Sequence, residues 1–89
     1  MTSTPIEMTE NAYGKWVYDL TVDASKICIA ANLPKVGVLS AYILDTNLPK
    51  PAFIDCEEGT TPNLWVNAIV GMKIKLVCDV QPDKLVIIK

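Results

Sequence analysis

Apolar and polar residues alternate along much of this chain with a period of two. In Lys15 to Asp23, Trp16, Tyr18, Leu20 and Val22 fall on one face, while Val17, Asp19, Thr21 and Asp23 fall on the other. That period predicts a half-buried strand. Asp23 to Lys26 reads as a turn, and Lys26 to Ala31 begins a second strand. Near the C-terminus, Ile74, Leu76, Cys78 and Val80 alternate with Lys73, Lys75 and Asp79, and Leu85 to Lys89 follows the turn residues Gln81 to Lys84. These two segments predict an antiparallel hairpin.

The tetrapeptide Asn-Leu-Pro-Lys occurs at 32–35 and again at 47–50. Proline cannot donate to a sheet ladder and biases the preceding residue toward extended backbone, so each copy marks the border of a strand. The spacing of the copies is too short for a repeat architecture. Between them lies Val36 to Leu44, apolar on both faces: Val36, Val38, Tyr42 and Leu44 against Leu39, Ala41 and Ile43. A strand of that kind is central to a sheet or carries an interface. Ala52 to Cys56 reads as a short strand, and the cluster of Asp55, Glu57, Glu58 and Gly59 at its end reads as a solvated acidic turn.

One segment changes period. Thr61 can cap a helix, Pro62 suits its first position and Gly71 its end, and Leu64 and Ala68 are four residues apart. This predicts one short helix near 62–70, with a strand as the rival because Val66, Ile69 and Val70 are β-branched. Residues 1–12 are polar and predict an extended N-terminal arm, although Thr4 to Glu7 matches a capping box. The expectation is therefore a mainly β protein: an arm over 1–12 and one domain over 13–89. That domain is a five- or six-stranded antiparallel barrel or sandwich with one short helix. Its element order resembles that of an OB-type barrel.

Composition narrows the chemistry. The 89 residues carry eight basic and ten acidic side chains, with no His, for a net charge of −2, and every basic residue is Lys. Lacking Arg, the chain has no planar fork for phosphate or guanine, and its net charge does not attract nucleic acid or anionic lipid. Without His it lacks the usual proton shuttle near neutral pH and the commonest metal ligand. Cys28, Cys56 and Cys78 are odd in number and widely spaced, which fits reduced thiols packed among apolar residues better than a disulfide framework, a zinc site or a nucleophile. The carboxylates Asp19 and Asp23 read as outward strand positions, and the Asp55–Glu58 cluster lacks the ordered spacing of a calcium loop. No Gly-rich phosphate loop or nucleophile elbow is present. No catalytic, cofactor-binding or metal site is expected.

The hydrophobic fraction of 51% is slightly above that of average domains, which suggests apolar surface buried against a partner. Met1 to Gly14 shows neither the basic nor the apolar region of a signal peptide, so cytoplasmic synthesis is expected. No apolar run is long enough to span a membrane as a helix. The leading expectation is a non-enzymatic structural or interaction protein that docks onto a larger protein assembly and onto copies of itself. Its most concrete form is a small bacteriophage virion component, capsid-decorating or tail-accessory. The interface candidates are Ile6, Met8 and Tyr13 near the arm and Val36, Val38, Tyr42 and Leu44 on the framed strand. The alternative is an OB-type single-stranded nucleic-acid binder, with Lys73, Lys75 and Lys84 supplying charge and Trp65 a stacking platform.

Overall fold

The alternating segments all become strands. The computed structural model describes Met1 to Lys89 and contains β1 (Ser3–Pro5), β2 (Thr9–Glu10), β3 (Trp16–Thr21), β4 (Lys26–Asn32), β5 (Gly37–Leu44), β6 (Ala52–Gly59), β7 (Asn63–Asn67), β8 (Lys73–Cys78) and β9 (Lys84–Ile88). They form two open antiparallel sheets. Sheet A has the order β1-β9-β4-β7 and sheet B the order β2-β3-β8-β5-β6. The molecule measures 34 × 33 × 19 Å, the short dimension being that of two stacked layers.

One apolar core lies between the layers. Sheet A contributes Ile27, Ile29, Ala31, Leu64, Val66, Leu85 and Ile87; sheet B contributes Leu39, Ala41, Ile74, Leu76 and Cys78. In each strand these are alternate residues, so burial follows the period of two read from the sequence. No polar or charged residue is buried. At roughly 25 cal/mol per Å² of apolar surface removed from water, this shared interior is the main force holding the sheets together.

The structure corrects several expectations. There is no helix at 62–70: Asn63–Asn67 is a strand with Leu64 and Val66 in the core and Asn63, Trp65 and Asn67 outside. A strand places Leu64 and Val66 on the same side, against the core; a helix would turn one of them away. The β-branched character of Val66 therefore outweighs the capping signals, and Gly71, at φ +95, serves a turn between strands. With the helix goes the OB-like element order. The sheets do not close into a barrel, and the strand count exceeds the expected five or six.

The predicted C-terminal hairpin is also absent. β8 pairs with β3 and β5 in sheet B, whereas β9 pairs with β1 and β4 in sheet A. Residues 79–83 carry the chain across the core, so Ile74 and Leu76 of β8 and Leu85 and Ile87 of β9 line the same interior from opposite layers. Asp79 anchors this crossing by accepting a 2.8 Å hydrogen bond from the Val38 amide. Gly37 makes room for it, since a Cβ there would approach Asp79 Oδ1 to 2.8 Å and Val80 to 2.9 Å.

The N-terminal segment belongs to both sheets. β1 lies antiparallel along β9, and β2 pairs with β3. Thr2 and Lys89 exchange backbone hydrogen bonds, the Ile6 amide donates to Leu85, and Met8 enters the core between the two strands. The β2–β3 turn is built around Asn11, whose side-chain oxygen accepts from the amides of Tyr13 and Lys15, with Gly14 at φ +75.

Candidate protein-interaction surface

The outward face of sheet B gathers apolar residues from its strands. The register sets Val17 beside Val77, Val77 beside Ser40 and Ser40 beside Cys56. The next row runs Asp19, Lys75, Tyr42 and Phe53, and the one after it Thr21, Lys73 and Leu44. Val38 stands beside Glu58 at the far end. The result is an apolar field of Val17, Val77, Val38, Tyr42, Phe53 and Leu44, interrupted and bordered by Lys and carboxylate side chains.

A bulge shapes its edge. Ala41 faces Asp55 while Tyr42 faces Phe53, so Ile54 is the extra residue on β6. Ile54 packs against the core, and the offset puts Phe53 on the outside at 60% exposure. There its ring meets Tyr42 edge to face, with centroids 5.8 Å apart. Beyond Leu44, the face runs into an open groove of about 720 Å³ between residues 45–51 and 69–73. Ile43, Leu48, Pro49, Pro51, Ile69 and Met72 form most of its apolar lining.

The expected interface residues separate into groups. Val38, Tyr42 and Leu44 lie on this outward face, half-buried, and Val36 is exposed in the turn before β5. Leu39 and Ala41, on the opposite side of the same strand, are fully buried. Near the N-terminus, Met8 is part of the chain's own core and Ile6 packs against it, while Tyr13 projects from the β2–β3 turn at 88% exposure.

The residues of the nucleic-acid alternative are not brought to one face. Lys73 and Lys75 stand on the outside of sheet B; Lys84 and Trp65 stand on the outside of sheet A. Trp65 instead takes the Lys26 ammonium over its ring, 5.3 Å from the centroid. Trp16 and Tyr18 pack against the core.

Asp19 faces Lys75 across β3 and β8. Asp23 pairs with Lys89, and the hydrogen bond from that ammonium holds its carboxyl below the usual carboxylate value. Burial pushes the thiols of Cys28 and Cys78 up, whereas Cys56 is exposed on β6. No three His, Cys, Asp or Glu side chains are grouped to hold a metal. No helix is long and apolar enough to cross a membrane.

Phe53 and the groove were not singled out in the sequence. The acidic run Asp55 to Glu58 reads as a turn but continues β6, and this hid an eight-residue edge strand. The groove joins two loops distant in sequence, and no local pattern signals it. No family model, curated protein or solved structure matches the chain.

Proposed function

We propose that this protein is a non-catalytic docking subunit that presents the outside of sheet B to a larger protein assembly. The observation that carries the reading is the apolar field around the Tyr42–Phe53 pair, interrupted by Lys75 and bordered by Asp19, Lys73 and Glu58. Contiguous exposed apolar surface with a charged border is the usual build of a protein interface, and aromatic residues are enriched at its centre. The most concrete form of this reading is a small bacteriophage virion component, decorating a capsid or serving a tail. In such a lattice one modest contact, repeated over many copies, becomes strong through avidity.

Affinity capture from cells making the protein tests the docking face, comparing wild type with Phe53→Asp and Tyr42→Ser. Both positions face outward, so the fold is expected to persist, checked by melting temperature. Loss of the captured partner in both variants supports the reading, and equal capture by folded variants overturns it. Genes flanking the coding sequence test the viral form: structural genes of a phage support it, and their absence removes it.

A further inference from the structure

Four strands end the two sheets, and three of them are protected against pairing with another chain. β1 is three residues long and includes Pro5, and β2 is two residues long. β6 is long but carries Asp55, Glu57 and Glu58 together with the bulge at Ile54. Shortness, proline, charge and bulges are the devices that keep sheet edges apart. β7 has none of them. Asn63–Asn67 contains no charge, no proline and no bulge, and it pairs only with β4.

The hydrogen-bond parity of β7 defines what its open edge offers. The β4 side is bonded at alternate positions: the Ala31 amide donates to Pro62, and the Ala68 amide donates to Ser25. Alternation in an antiparallel ladder assigns Leu64 and Val66 to that side as well, leaving the backbone groups of Asn63, Trp65 and Asn67 directed outward. The sequence of these residues is nearly symmetric about its centre: Asn-Leu-Trp-Val-Asn.

We propose that β7 is a contact between two copies of this chain, paired antiparallel about a two-fold axis through Trp65. In that register Trp65 faces its own mate, Asn63 faces Asn67, and Leu64 faces Val66. Each outward amide and carbonyl then meets a counterpart, and the four-stranded sheets A of the two copies join into one. The outer row of Ile88, Cys28 and Trp65 becomes continuous across the axis. A second copy is the occupant that suits this edge because a two-fold sets like against like. β7 brings no charge of its own to the contact, whereas β6 would oppose carboxylates to carboxylates. The contact lies on the sheet opposite the docking face and stands or falls independently of it.

Sedimentation equilibrium of the intact protein across the micromolar range tests the pairing. The wild type is expected to be a dimer in equilibrium with monomer; a monomer throughout overturns the proposal. Asn63→Lys with Asn67→Lys sets lysine against lysine at both ends and is expected to weaken the dimer roughly ten-fold or more. Asn63→Lys with Asn67→Glu sets lysine against glutamate in the proposed register and is expected to retain it. If the two double variants associate equally, the register is wrong and the proposal falls. Asn63→Glu with Asn67→Glu repeats the repulsive arm should the lysine pair fail to fold.

Discussion

β6 and β7 follow one another in the chain and end opposite sheets, yet they are built in contrary ways. β7 keeps a strict alternation, with Leu64 and Val66 almost fully buried and neutral residues outside. β6 has only Ile54 packed against the core, and its bulge changes which residues face inward. Past the bulge, Asp55 and Glu57 stand beside the core-facing residues Ala41 and Leu39, yet both are exposed. An inward-pointing carboxylate at a sheet margin blocks a second sheet edge from settling there. An edge strand is thus specified by its charges as much as by its apolar residues. β6 owes its place to a long ladder with β5 and offers its flat outer face; β7 owes its place to the core and offers its edge.

The two strands should differ most in what they contribute to stability. Leu64→Ala is expected to cost about 2–5 kcal/mol in urea unfolding, while Ile54→Ala, at a half-buried site, is expected to cost about 1–2 kcal/mol. Equal costs would show β6 to be held by the core as β7 is. Next comes removal of the guard. Asp55→Ser, Glu57→Thr and Glu58→Thr together should leave the monomer's stability within roughly 1 kcal/mol but make it associate, as read by light scattering. A variant that remains as dispersed as the wild type would show that the carboxylates do not protect the edge.

Thiol reactivity sharpens the same contrast. Cys56 on β6 is expected to react with a thiol reagent at once, and Cys28, beside Trp65 in the β4–β7 ladder, at least ~100-fold more slowly. Comparable rates would contradict the burial of Cys28. The smallest effect involves Asp23 and Lys89. Because the folded carboxyl is held below its unfolded value, the pair stabilises the protein above the unfolded pKa of about 3.9. That contribution disappears as pH falls through the lower folded value. Asp23→Asn should flatten the acid limb of the stability profile slightly, and a profile identical to wild type would show that the pair contributes nothing.

Strand positions with clean alternation were legible in the sequence. Trp16 to Thr21 and Ile74 to Cys78 form strands, because burial on one side of a pleated backbone imposes a period of two, and the apolar run Leu85 to Ile88 forms one as well. At 62–70 the signals for a helix cap and turn were real but weak, and the opposite sheet's need for Leu64 and Val66 on one side overrode them. The acidic residues of β6 were misleading for a related reason: pairing with β5 fixes their backbone, whatever their side chains prefer. Of the candidate surface, Val38, Tyr42 and Leu44 could be named from their strand alone. Phe53 could not, since its outward direction depends on the bulge.

By itself, the sequence determined that this is a β protein whose charged side chains are lysines and carboxylates alone, lacking Arg and His, with apolar residues set at alternate positions. Such properties are local or compositional, and no fold can alter them. Only the tertiary structure decided which strands are neighbours. The two Asn-Leu-Pro-Lys copies show the limit: the first carries the chain from sheet A to sheet B with Leu33 in the core, and the second lies in the β5–β6 connection with Leu48 exposed. A turn signal specifies that a strand ends. Whether the chain then folds back or crosses the core is decided by where apolar surface from the whole molecule can be buried at once.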